Sequence, residues 1–325
     1  MTTALFQLGA NPQSGMGLPP HWGWYVILYF FFGGLAAGCY FIATLLALVG
    51  DPRDRETVRT GYLLAFPLVV FCGLLLIVDL GVPLRFWHML IHSKHPPLPI
   101  LKLWSPISVG SWVLSAFGVF SFVSFVGTLV ETRRLRWPMA VRADRWARAR
   151  PRPFAVLWGI AGAFFGFFLA GYTGVLVTGS SIAPWHNARL LGGLFLASAA
   201  SSSYALLILL ALRRGRRYAD STVQKLSRAD QWAIGLELVL LLATLLLLGR
   251  LARPFAAGGF GVVFWVGVVA LGLVVPLLLH RTQPRTLTDE RRAALAAGCV
   301  LAGGLLLRFV IVMAPQWPLV SLWYL

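Results

Sequence analysis

Residues 79–112 read DLGVPLRFWHMLIHSKHPPLPILKLWSPISVGSW. Apolar runs flank this stretch at 62–80 and 107–130. Each is long enough to cross a bilayer, which takes about 20 residues of helix. A connector between two membrane helices needs only a turn and a few polar residues. This one holds three of the six histidines in the sequence (His88, His92 and His95), an acid closing an apolar run, several tryptophans and a cluster of prolines. The stretch therefore predicts two membrane spans joined by a segment that forms a binding surface.

The same apolar pattern extends along the sequence. Of 325 residues 58% are hydrophobic and 12% charged, where a soluble domain carries about 25% charged. Apolar runs recur at 24–49, 62–80, 107–130, 154–178, 189–212, 231–249, 260–280 and 293–313. They are too long for strands and lack the two-residue alternation of a half-buried sheet. The expected fold is all-α, a polytopic membrane protein with eight transmembrane helices over 24–313. An extended leader over 1–23, without the basic and apolar regions of a cleaved signal, precedes it, and a short tail over 314–325 follows. Cys39, Cys72 and Cys299 stand singly in separate runs, which suits packing and not a disulfide, zinc or iron–sulfur framework.

The net charge of +17 is carried by short loops between the apolar runs, which argues for membrane topology and against a nucleic-acid partner. Loops after the first, third, fifth and seventh spans hold 3, 8, 6 and 4 Lys and Arg residues. The opposite side holds six: Arg85, Lys94, Lys102, Arg189, Arg250 and Arg253. By the positive-inside rule the basic loops are cytoplasmic, and both termini and the 79–112 stretch face outward, to the periplasmic side of a bacterial inner membrane. The loop at 131–153, the most basic of all, reads as a topology anchor beside anionic lipids. Trp22, Trp24, Trp87, Trp104, Trp185 and Trp317 fall near span ends, as interfacial belts do. GGLAAG at 33–38 permits close helix approach, and Ser198, Ser201, Ser202 and Ser203 give the fifth span a polar patch.

Ionisable groups inside spans are costly, and three occur: Asp79, Glu237 and Arg308. Counting about 1.5 Å per residue puts Tyr29, Asp79, Tyr172 and Arg308 at similar depth in the outer part, beneath Arg85 and His88. Glu237, near the start of the sixth span, is expected to snorkel towards the basic loop before it. A Tyr, Asp, Arg and His set at one membrane face suits a quinone headgroup, whose oxygens need donors and acceptors and whose reduction moves protons. The competing reading is structural: Asp79 paired with Arg85 or Arg308 as a helix lock, and the tyrosines as belt residues. His21, His88, His92, His95 and His186 lie in outer loops or at span edges and His280 stands alone, so no two histidines face each other to hold haem.

The ordered set GGLAAG at 33–38, DLGVPLRFWHML at 79–90, SPISVGSW at 105–112, GYTGVLVT at 171–178 and PWHN at 184–187 resembles the NrfD/PsrC family over essentially the whole sequence. The resemblance implies a haem-free membrane subunit that exchanges electrons between quinone (menaquinone or ubiquinone) and a ferredoxin-like iron–sulfur subunit. A molybdopterin catalytic subunit often lies beyond that partner. The quinone pocket so implied maps onto Tyr29, Asp79 and Tyr172. The first-span position is often histidine in the family. Tyr29 is a poorer proton carrier near neutral pH, which leaves the acceptor open, with His88 as the alternative.

The leading expectation is therefore a quinone site of Tyr29, Asp79, Arg85, His88 and Tyr172, with no metal ligands. Asp79 and His88 would exchange protons, and Arg85 would hold Asp79 or a partner carboxylate. Residues 79–106 and 179–188 would dock the partner. The rivals are an ion- or proton-translocating, transporter-like subunit using Glu237 and Arg308, and a membrane anchor with no quinone site of its own.

Overall fold

The computed structural model describes residues 22–92, 100–101, 105–149, 152–214, 220–280 and 287–316. Residues 1–21 of the expected 1–23 leader, with His21, lie outside the described residues. So do Lys94, His95, Lys102, Trp104, Trp317 and the end of the tail.

Eight helices are long and apolar enough to cross a membrane. Seven are α1 (Trp24–Val49), α2 (Arg55–Asp79), α3 (Pro106–Glu131), α5 (Arg152–Thr178), α6 (Leu191–Arg214), α7 (Asp220–Leu248) and α9 (Leu287–Met313). The eighth, α8, runs over 258–280 and is π-helical across Val263–Val274. A short amphipathic helix, α4 (Pro138–Arg148), sits in the most basic loop.

Three helices begin well before their apolar runs, at Arg55, Asp220 and Leu287 instead of 62, 231 and 293. All three extensions lie on the face of the basic loops. Hydropathy marks only the part of a helix that lipid surrounds, and the backbone ladder continues into water when local pairs support it. At α2 the support is visible. Asp51 and Asp54 form a reciprocal capping box, and Arg59 pairs with Glu56 one turn away.

The bundle has an inner and an outer set. In α1, α6 and α9, 83%, 67% and 56% of the central residues are buried, against 22–28% in the other five. Small residues make this possible. A Cβ built on Gly34 would lie 3.0 Å from that of Ala199, and one on Gly272 2.7 Å from the Cα of Gly303. Helices can approach this closely only where side chains are absent.

Trp185 departs from the belt expectation. It is fully buried, donates its Nε1 hydrogen to the Ile311 carbonyl at 2.7 Å, and stacks on Trp22 at 5.1 Å. Trp22 is in turn tied to Gln316 by two hydrogen bonds, at 3.0 and 3.1 Å. These contacts pin the beginning of α1, the 179–190 connection and the end of α9 to one another. Trp24 and Trp87 stay exposed, as expected of a belt.

Candidate functional site

The sequence predicts that five side chains converge on the face opposite the basic loops. Tyr29 lies on α1 and Tyr172 on α5, both buried, and they are electrostatic neighbours. Tyr29 faces α2, where its carbonyl receives the Cys72 thiol at 3.8 Å. Tyr172 faces α3 and donates its phenol hydrogen to the Pro106 carbonyl in that helix's first turn. Gly110, one turn on, leaves the room its ring occupies, since a Cβ there would overlap it. The Tyr172 oxygen can still accept a hydrogen bond.

The other three stand at the surface. Asp79 is the last residue of α2, exposed, about two turns beyond the Tyr29–Cys72 contact. Gly81, with φ of 68°, takes the left-handed conformation that stops the helix and turns the backbone aside. Pro83 then opens a 3-10 helix, Pro83–Met89, that carries exposed Arg85 and half-buried His88. His88 stacks on Trp87 at 3.7 Å, and its Nδ1 lies 3.2 Å from the Arg85 carbonyl. Among the described residues, Asp79 makes no ion pair with Arg85 or Arg308, so the helix-lock reading fails. The structure thus brings the two tyrosines together inside the bundle and leaves Asp79, Arg85 and His88 above them. Ile91 and His92 pair with Leu101 and Ile100 in a two-residue antiparallel ladder that closes the segment towards α3.

Arg308 is not at this surface. It is 1% exposed in the inner bundle, with Nη1 donating to Ser198 Oγ at 2.5 Å and to the Gly304 carbonyl at 2.8 Å. Nη2 donates to the Phe195 carbonyl at 3.2 Å, and the Phe195 and Phe31 rings flank the guanidinium at 5.2 and 5.9 Å. Glu237 corrects a second expectation. It does not snorkel; it is 3% exposed and accepts a hydrogen bond from Ser201 at 2.7 Å. Counting depth from residue 231 puts it too near the basic face, because α7 begins a further three turns out. Ser198 and Ser201 lie one turn apart on α6 and join the two charges, which also interact through space.

The signal for this cluster is present in the sequence. Asp230, Glu237 and Thr244 recur every seventh residue of α7, and all three are buried. That spacing puts polar groups on one stripe of an otherwise apolar helix, facing the serines of α6.

The family model for polysulphide reductase NrfD matches residues 12–319. The chain belongs to the NrfD family. Known relatives match along most of their length. A polysulfide reductase chain of Wolinella succinogenes is 28% identical over 314 residues, 91% of this protein and 94% of that one. Protein NrfD of Escherichia coli is 30% identical over 313 residues, 91% and 95% of the two proteins. A selenate reductase subunit of Mesobacillus selenatarsenatis is 23% identical over 327 residues, 90% and 73%. This NrfD-family protein is accordingly a multi-pass membrane subunit of the kind found in reductase complexes.

Proposed function

We propose that this protein binds quinone or quinol for a respiratory reductase complex of the bacterial inner membrane, on the face opposite the basic loops. A ferredoxin-like iron–sulfur subunit docks over the 79–92 segment, of which 79–87 are exposed, and a molybdopterin catalytic subunit lies beyond it. The observation that carries this reading is the buried Tyr29–Tyr172 pair beneath Asp79, Arg85 and His88. The donor set suits a neutral ring with two oxygens and an apolar tail. Bound quinone supplies two-electron, two-proton redox chemistry.

The protein's part is positioning and proton handling. Tyr29 offers a phenol hydrogen from an apolar wall. Tyr172 accepts at its oxygen, or donates after leaving the Pro106 carbonyl. Asp79 and His88 face the aqueous side, where either can trade a proton with solvent. Exposed Arg85 is placed to meet a carboxylate of the partner. Only the exposed residues of 179–188 can join that docking, because Trp185, Ile182 and Ala188 are buried.

In the assembled complex, Tyr172→Phe is expected to lower quinol-linked turnover about tenfold, the loss of one good hydrogen bond. Asp79→Asn is expected to slow turnover and alter its pH profile. Unchanged turnover in both, with normal amounts of the protein in the membrane, overturns the site.

A second reading, proton translocation, is favoured by the buried line Asp230, Glu237, Ser201, Ser198 and Arg308. Ser198 accepts from Arg308, so its own hydrogen is left to donate onward. Glu237→Gln in vesicles is then expected to lower protons moved per electron while turnover persists. An unaltered ratio removes this reading.

A further inference from the structure

The largest cavity described, about 840 Å³, is far from the tyrosine pair, on the face of the basic loops. Helices α1, α2, α3 and α5 form its walls, and Ala143 and Trp146 of α4 cover part of it. We infer that this cavity is a binding site for an anionic phospholipid, with its phosphate among the arginines at the mouth and its acyl chains between the helices.

The cavity is graded along its depth. Asp51, Arg55, Arg59 and Glu131 line the mouth, where the helices meet water. Seven residues deeper on their helices, about 10 Å at 1.5 Å per residue, stand Tyr62 and Ser124. Their hydroxyls are already engaged, by Thr44 at 3.1 Å and Tyr40 at 3.0 Å. The remaining wall is chiefly apolar, with Leu46, Val58, Val123 and Phe154. A charged rim over an apolar shaft fits an amphiphile lying along the bilayer normal. It does not fit an uncharged ring, which would leave the rim unanswered.

The rim favours an anion. Arg59 is fully engaged, with Nε and Nη2 on Glu131 at 3.1 and 2.7 Å and Nη1 on Glu56. Arg55 gives Nε and Nη2 to the same Glu131 oxygen at 2.9 and 2.6 Å. Its Nη1 has no partner among the described residues, and its side chain is 63% exposed. An adjoining hollow shares Arg59 and Glu131 and adds Arg133 and Arg134. Neither has an acid partner among the described residues. Arg133, with φ of 56°, is the one non-glycine residue in the left-handed region there, at the end of α3. Three guanidinium groups with spare donors thus stand on two adjoining hollows that share Arg59 and Glu131, an arrangement that suits a phosphodiester at the mouth.

Helix α4 supplies an independent pointer to lipid. It is amphipathic, carries Arg142 and Arg145, and exposes Met139 and Trp146, with Trp137 just before it, each at 60% or more. Such a helix rests in the headgroup layer, and here it lies directly beside the cavity.

The test is native mass spectrometry of the delipidated protein, titrated with phosphatidylglycerol or phosphatidylcholine of identical acyl tails. One phosphatidylglycerol is expected to be retained at least about tenfold more strongly than phosphatidylcholine. Soluble glycerol phosphate in excess should not displace it. In Arg55→Gln/Arg133→Gln/Arg134→Gln the preference should fall to near unity. Gly127→Leu, which projects between α3 and α4, should reduce retention of both lipids. Equal retention of the two lipids by the unaltered protein overturns the proposal, and needs no variant to fold. So does a preference that survives both variants, or release by glycerol phosphate.

Discussion

The inner helices α1, α6 and α9 and the outer five are alike in being apolar enough to cross a membrane, yet they differ in burial by a factor of two to nearly four. What separates them is the placement of small and polar side chains. Gly34 and Gly38, the serines of α6 and Gly304 let the inner helices close on one another. Among them lie Arg308 of α9 and the carboxylate of Glu237, which reaches in from α7, and of their polar head atoms Arg308 Nε is left without a partner. On the outer helices other than α7 charge is found at the ends instead, where water shares it. The same residue types therefore carry large energies inside and small ones at the rim.

This difference can be broken most sharply at Glu237. Glu237→Ala leaves Arg308 as a buried cation without its acid and is expected to cost about 3–5 kcal/mol, read as a drop in thermal unfolding midpoint in detergent. Glu237→Gln keeps the Ser201 contact and should cost less. Combining it with Arg308→Met should cost less than the two single changes added, by about 0.5–3 kcal/mol. Strict additivity would mean that the two charges are not coupled.

Trp185→Phe comes next. It removes the donor to the Ile311 carbonyl in a fully buried place, so a loss of about 1–3 kcal/mol is expected in the same unfolding assay. Asp79→Asn, at an exposed helix end, should shift stability by no more than about 0.5 kcal/mol. That contrast is useful for the proposed quinone site, because any effect of Asp79→Asn on turnover is then chemical and not a failure of the fold.

How much of this the sequence discloses depends on the region. The eight spans are legible because each apolar run is about long enough to cross the bilayer, and the small residues of 33–38 announce a close crossing. Trp185 misleads because a tryptophan at a span end has the same sequence signature whether it meets lipid or another helix. For Glu237, counting from the end of an apolar run picks the right residue and the wrong depth, because α7 continues well beyond its run. The Tyr29–Tyr172 approach can be guessed only from shared depth. The bond from Tyr172 to Pro106 depends on Gly110, a residue with no chemical signal of its own. The cavity beside α4 is invisible in the sequence, because its walls come from helices far apart along it.

A similarly small effect is expected at the basic rim, and there it discriminates between two uses of charge. Glu131 takes both Arg55 and Arg59 on one oxygen, yet Arg55 is largely exposed and Arg59 partly so. Such pairs contribute about 0–1 kcal/mol and weaken with salt. Glu131→Gln should therefore lower the unfolding midpoint slightly at low ionic strength and hardly at all in high salt. It also frees two guanidinium groups at the cavity mouth. If the rim is built to hold an anionic lipid, phosphatidylglycerol should then restore or exceed the original midpoint, while phosphatidylcholine does not. A destabilisation as large as that of Glu237→Ala, indifferent to salt and lipid, would place Glu131 with the inner charges and erase the distinction between core and rim.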